Sequence, residues 1–205
     1  LILERVGQGA MSIVYKAQQD ETDRIVAIKM LRAQLCCDPA NVKRFQREAK
    51  AIARLSHPGL LKVFSVGRTA AGQPFIVMEF VEGRSLTRVI AEEKQIPWQR
   101  LAGIFLQVCD AMQHAHAHRI VHRDLKPDNI MLVSTSVGLD SVKVVDFGIV
   151  KITDESQALS QKLTKHGEVW GSPIYMSPEQ CMGHEIDHRS DIYSIGTVMY
   201  ECLIG

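Results

Sequence analysis

The rhythm of apolar and polar positions changes partway along the chain. Over the first part, Leu1 to Val6, Ser12 to Gln18 and Ile25 to Leu31 alternate or run apolar, and Gly7 and Gly9 break the first pair. Runs of this kind predict strands of a twisted antiparallel sheet. From Ala40 to Leu55 the period lengthens: Val42, Phe45, Ala49, Ile52 and Leu55 recur at three and four residues, with Lys43, Arg44, Arg47 and Lys50 between them. One amphipathic helix is predicted there, ended before His57-Pro58-Gly59. Strand character returns at Leu60 to Val66 and Phe75 to Phe80, Gly83 marks a joint, and helical periods follow, as at Leu101 to Ala117. The reading is a β-rich segment 1–82 followed by a mainly helical segment 83–205. Thr153 to Trp170 is polar and lacks a core-facing period, so a mobile surface segment is expected there.

Composition narrows the classes. With 46% hydrophobic and 23% charged residues and a net charge of +1, the chain has the make-up of a globular protein and no global field to draw in polyanions. Nucleic acid and membrane surfaces are not expected as partners. Apolar runs such as Pro74 to Val81 and Ile192 to Ile204 are short or broken by polar residues, so no span and no cleavable signal is predicted, and a cytoplasmic segment is expected. Cys36, Cys37, Cys109, Cys181 and Cys202 form no CxxC pair, which disfavours a disulfide or zinc framework.

Candidate chemistry begins at Gly7-Gln8-Gly9-Ala10-Met11-Ser12-Ile13-Val14. A glycine turn between strands lets backbone N–H groups approach a phosphate, although a plain hairpin would read the same. A dinucleotide fold would need the turn to open a helix, and Val26-Ala27-Ile28-Lys29 continues instead in another strand. Lys29 near a strand end needs an anionic partner if desolvated, and Glu48 on the following helix is the candidate. Taken singly, both residues also read as ordinary solvated positions.

His122-Arg123-Asp124-Leu125-Lys126-Pro127-Asp128-Asn129 is followed, seventeen residues after Asn129, by Asp146-Phe147-Gly148. Ser177-Pro178-Glu179 and Asp191-Ile192-Tyr193-Ser194-Ile195-Gly196 come later in the same order. On these residues the chain resembles the protein kinase family over its whole length, with a flavour closest to bacterial serine/threonine kinases of the eukaryotic-like group. The resemblance implies an α+β, two-lobed fold: a small antiparallel-β N-lobe carrying one regulatory helix, and a mainly helical C-lobe, with ATP in the cleft.

It also implies roles. Asn129 and Asp146 would hold Mg²⁺ through hard oxygen atoms. Lys29 would grip the α- and β-phosphates, steadied by Glu48, under a loop containing Gly7 and Gly9. Asp124 would orient the incoming hydroxyl and accept its proton, and Lys126 would neutralise the moving phosphoryl group, a lysine that accompanies serine or threonine acceptors in the family. The adenine would lie between Val14 and Ala27 on one side and Met131 on the other, bonded to the Glu79 C=O and the Val81 N–H, with Met78 at the back of the slot. Ile52, Val63, His122 and Phe147 match the family's stacked hydrophobic spine, and Asp191 its anchor.

Departures from the pattern are Ser12 in place of a third glycine, Ser172 for threonine and Ser177 for alanine. Arg123 beside Asp124 would receive a phosphate on the activation segment, with Thr164 the first candidate and Ser160 the next. Protein substrates with serine or threonine acceptors are the expected partners, with dimerisation for trans-autophosphorylation. A nucleotide-binding pseudokinase and a small-molecule kinase are the alternatives; the first would lack Lys29, Asp124 or Asp146, and all three are present. His114, His116 and His118 cannot all share one helical face, which argues against a metal site. The basic stripe of the Lys43 to Arg54 helix reads as a solvated face. The sequence stops at Gly205 where the family continues, so a longer native polypeptide is expected, with a membrane-spanning segment and sensor beyond.

Overall fold

The computed structural model describes residues 1–9, 11–20, 22–135, 138–148 and 173–205. They divide into two units: Leu1–His57 with Leu61–Val81, and Pro58–Leu60 with Glu82–Gly205.

The first unit is built on a five-stranded sheet. Strands β1 (Ile2–Gln8), β2 (Ser12–Gln18), β3 (Ile25–Leu31), β4 (Val63–Arg68) and β5 (Pro74–Glu79) lie in the order β1-β2-β3-β5-β4, every neighbouring pair antiparallel. Strands β3 and β5 supply most of the sheet's core, burying Val26, Ala27 and Leu31 from β3 and Ile76 and Met78 from β5. Helix α1 (Pro39–Ile52) starts where the sequence allows it to: Asp38 accepts a hydrogen bond from the Ala40 N–H at 2.8 Å, and Pro39 sits in the first turn, where its missing N–H costs nothing. Its buried residues are the periodic ones, Val42, Phe45, Ala49 and Ile52.

One strand starts later than its apolar run suggests. Leu60 and Leu61 are buried, yet β4 begins at Val63. Leu60 instead bridges Val144 in parallel, and the Gly59 carbonyl accepts from the Val144 N–H at 2.8 Å, so the front of the run serves the second unit.

In the second unit the strands are few. β6 (Arg84–Ser85), β7 (Ile130–Ser134) and β8 (Asp140–Val144) form a small antiparallel sheet in that order. Gly83, just before it, is held so close to β7 that a Cβ there would meet the Leu132 carbonyl oxygen at 2.6 Å. Helices α2 (Leu86–Glu93) and α3 (Trp98–Ala117) follow β6, and α3 buries Leu101, Ile104, Phe105, Val108, Ala111, Met112 and Ala115. Ser85 caps α2 by accepting from the Arg88 N–H. The outer edge of β8 is covered by a side chain: Gln107 of α3 accepts from the Val142 N–H at 3.1 Å and donates to the Asp140 carbonyl at 3.0 Å, as a neighbouring strand would.

Two further helices close the unit. Helix α4 (Pro178–Met182) has a complete capping box between Ser177 and Gln180 and ends at Gly183 in the left-handed region. Helix α5 (His188–Ile204) is capped by Asp187 and buries Asp191, Ser194, Ile195, Val198 and Cys202. Among the described residues no helix is long and apolar enough to cross a membrane.

Candidate active site

In the first unit the sheet register collects one set of side chains. Val14 pairs with Lys29 across β2 and β3, and Ala27 pairs with Met78 across β3 and β5. Residues directly opposite one another, and residues two apart along a strand, point to the same side of a sheet. Val14, Ala27, Lys29 and Met78 therefore share one face, which holds a buried lysine, 8% exposed, among apolar neighbours.

The glycine turn links β1 to β2, with the Gly9 N–H donating to the Ser12 carbonyl at 2.9 Å. A Cβ at Gly7 would meet only Val14 Cβ at 3.8 Å, and one at Gly9 only the Ser12 oxygen at 3.8 Å. Neither glycine has a positive φ. The described residues around the turn thus demand neither glycine, unlike Gly83, and the bare backbone is open to a close-approaching ligand.

Glu48 lies on α1 three residues after Phe45 and four before Ile52, on the inward side of the helix. Both its carboxylate oxygens are screened from solvent. A carboxylate in that position calls for a cation or strong donors. At the end of β5, the Glu79 N–H donates to the Lys62 carbonyl at 2.8 Å. Among the described residues, no backbone hydrogen bond takes the Val81 N–H.

In the second unit one buried carboxylate organises the loop after α3. Asp191 on α5 is fully buried. Its Oδ2 accepts from the His122 N–H at 2.8 Å and lies 2.7 Å from His116 Nε2, while Oδ1 accepts from the Arg123 N–H at 2.9 Å. These bonds hold Arg123 at φ 66°, a left-handed conformation that costs a side-chain-bearing residue about 1–2 kcal/mol. Gln180 adds a third tie, its amide donating to the Arg123 carbonyl at 2.9 Å. The next residue, Asp124, is half-buried, and its carboxylate lies 3.7 Å from Lys126 Nζ.

Asn129, 5% exposed, donates through Nδ2 to the Asp124 carbonyl at 2.7 Å. That partner can only accept, so the amide nitrogen must face it and the amide oxygen is left for a cation or donor. The Asp146 segment is laced to the same loop on both sides. The Val145 N–H donates to the Asn129 carbonyl at 2.9 Å, and the Gly148 N–H donates to the His122 carbonyl at 3.0 Å. Asp146 itself sits at φ 54°, a left-handed turn that aspartate tolerates better than most residues.

His122 locks this lacing from within. Its Nδ1 accepts from the Asp124 N–H at 3.3 Å, so Nε2 carries the proton and donates to the Val145 carbonyl at 3.0 Å. Its ring lies 4.6 Å from that of Phe147. Burial pushes the His122 pKa below the ordinary value against the pull of Asp191, which keeps the ring neutral, as acceptance at Nδ1 requires.

Asp124, Lys126, Asn129 and Asp146 are thus brought together in one loop cluster of the second unit, and Met131 lies just beyond on β7. Thr164, Ser160 and Ser172 lie outside the described residues, as does the Thr153 to Trp170 segment. Sequence reasoning missed His116, Gln180 and Gln107. The S-x-x-Q spacing over Ser177 to Gln180 is a local signal that could have found Gln180, and no local signal marks the other two.

Comparison with known proteins gives the same class. Residues 2–205 match the protein kinase domain family, and the chain belongs to it. It is 44% identical over 200 residues to serine/threonine-protein kinase pkn3 of Myxococcus xanthus, covering 98% of this chain and 36% of that protein. Serine/threonine-protein kinase PknB of Mycobacterium tuberculosis is 40% identical over 205 residues, covering 98% and 32%. Among solved structures, the kinase domain of Mycobacterium tuberculosis PknI superposes with a TM-score of 0.75 at 28% identity, over 98% of this chain and 73% of that one. The chain spans about a third of the length of the curated relatives it matches.

Proposed function

We propose that this chain transfers the γ-phosphoryl group of ATP to serine and threonine hydroxyls of proteins. The observation that carries the reading is the loop cluster of Asp124, Lys126, Asn129 and Asp146, locked by Asp191 and His122. Phosphoryl transfer passes through a loose transition state, so the protein's task is placement and charge compensation rather than covalent chemistry.

In this reading Asp124 orients the acceptor hydroxyl and takes its proton as the oxygen bonds to γ-phosphorus and the bond to the leaving ADP oxygen breaks. Lys126, on the same carboxylate, neutralises charge on the group in flight. Asn129 and Asp146 fit Mg²⁺ because both offer hard oxygen atoms and the Asn129 nitrogen is already committed to Asp124. Bound there, the ion supplies Lewis-acid neutralisation of phosphate charge. Lys29 pairs with the α- and β-phosphates and Glu48 steadies it. Gly7 and Gly9 let the backbone approach the nucleotide, Val14, Ala27 and Met131 contact the adenine, and the Glu79 C=O and Val81 N–H bond its edge.

Regulation follows the same electrostatics. No ion pair of the Arg123 guanidinium occurs among the described residues, which suits it to receive a phosphate on Thr164 or, next, Ser160. Trans-autophosphorylation between two copies of a cytoplasmic domain would place it there.

The test is incubation with γ-labelled ATP, Mg²⁺ and a generic protein substrate, followed by phosphoamino-acid analysis, beside Asp146→Ala. Label on phosphoserine and phosphothreonine, lost in the variant, is expected. ATP binding without transfer would make the chain a nucleotide-binding scaffold, and transfer only to small molecules would overturn the protein acceptor.

A further inference from the structure

The link between β3 and α1 holds the only two cysteines of the first unit, and they are adjacent, Cys36 and Cys37. Cys36 closes a 3-10 turn over Ala33–Leu35: its N–H donates to the Ala33 carbonyl at 3.0 Å, and its backbone is right-handed helical at φ −73°, ψ −15°. Its thiol reaches back over the turn to the Arg32 carbonyl at 3.4 Å. Cys37 is exposed. The next residue, Asp38, is the cap of α1. The two thiols therefore occupy the joint through which the chain enters the helix that carries Glu48.

We propose that Cys36 and Cys37 are an oxidation site, converted by a peroxide to a vicinal disulfide that resets the entry into α1. The Cys37 thiolate attacks one peroxide oxygen; the O–O bond breaks, hydroxide leaves, and Cys37 becomes a sulfenic acid. The Cys36 sulfur then attacks the Cys37 sulfur, the S–O bond breaks and water departs with the Cys36 proton. Two thiols are oxidised to one disulfide and one hydrogen peroxide is reduced to two waters.

Exposure sets the order of attack. Burial and the neighbouring Cys37 push the Cys36 thiol up, so it is the slower nucleophile toward peroxide and the resolving partner.

The local geometry makes the change conformational. Along right-handed helical backbone successive side chains diverge by about 100°, whereas a disulfide needs Cβ atoms about 3.5–4.5 Å apart. Ring closure draws Cys36 off the Arg32 carbonyl and reshapes the turn that leads to Asp38. A ring this small is strained and easily reduced, which suits a reversible switch better than a staple.

The inference goes beyond the proposed kinase activity and is read without it. The reduced protein is titrated with hydrogen peroxide and followed by intact mass, peptide mapping and amide hydrogen exchange. Expected are a loss of about 2 Da on the peptide containing both cysteines, reversed by dithiothreitol, and roughly tenfold faster exchange in the first turn of α1. Cys37→Ser and Cys36→Ser, the latter keeping a hydroxyl donor for Arg32, should each abolish the loss while the chain stays folded. Persistence of the loss in either variant overturns the proposal. So does direct passage of Cys37 to a sulfinic acid, a gain of about 32 Da, or a disulfide with unchanged exchange in α1.

Discussion

His116 Nε2 lies 2.7 Å from Asp191 Oδ2, the same oxygen that accepts the His122 N–H at 2.8 Å. One buried atom thus ties α3, the loop carrying Asp124 and α5 to each other. Removing the whole carboxylate takes the acceptor from two backbone donors, the His122 N–H on Oδ2 and the Arg123 N–H on Oδ1. Asp191→Ala should cost about 3–5 kcal/mol of stability, and His116→Ala about 1–2 kcal/mol, measured by urea unfolding. A loss below about 0.5 kcal/mol for Asp191→Ala would show that the carboxylate does not hold the loop.

The buried, neutral His122 makes stability depend on pH with a definite sign. Its folded pKa is depressed, so between that value and about 6.5 the unfolded chain takes up a proton that the folded chain refuses. This contribution is fully present above about pH 6.5 and is lost as pH falls toward the folded pKa, with a slope of up to about 1.4 kcal/mol per pH unit. In His122→Phe, which keeps a ring against Phe147, unfolding free energies between pH 7.5 and 5.5 should show a shallower slope than the parent. An unchanged slope would mean that another group carries the effect.

Gln107 should behave as a strand edge. Gln107→Ala is expected to lose about 1–2 kcal/mol, because Val142 N–H and Asp140 C=O lose their partners. Gln107→Glu should lose at least as much, since a carboxylate can accept from Val142 but faces the Asp140 carbonyl with no donor. Chemical denaturation of the two variants decides it, and a fully stable Gln107→Glu would refute the pairing.

How far the sequence went follows from where each partner lies. The bounds of β2 and β3 and the stripe Val42, Phe45, Ala49, Ile52 are local patterns, and they appear in the structure at those residues. The start of β4 was misread because Leu60 is apolar for a reason that lies at Val144, far along the chain. The chemistry-bearing loop was legible as a motif, because His122 to Asn129 are nearly contiguous. Its supports were not: His116 reads as one of three histidines until Asp191, 75 residues away, is placed beside it. The left-handed turn at Arg123 has no local signature either, being imposed by bonds from Asp191 and Gln180.

Two glycines should separate folding from ligand binding. A Cβ at Gly83 would collide with the Leu132 carbonyl oxygen at 2.6 Å, whereas one at Gly9 meets nothing closer than 3.8 Å. Gly83→Ala should destabilise by about 1–3 kcal/mol. Gly9→Ala should leave stability within about 0.5 kcal/mol of the parent and weaken ATP binding several-fold. Melting curves with and without Mg²⁺ and ATP read both effects. A large melting shift for Gly9→Ala alone would place the glycine in the fold rather than the site.

The most direct measurement is the rate of γ-phosphoryl transfer from ATP to a serine- or threonine-containing protein by Asp124→Asn, alongside its ATP affinity. The substitution keeps the backbone bond from Asn129 and the side-chain shape, and removes the carboxylate charge, which serves as the base and faces Lys126. A fall of about 100-fold or more in rate, with affinity within about threefold of the parent, is the expected result. Equal rates in the two proteins would contradict the assignment of Asp124 and, with it, the proposed chemistry.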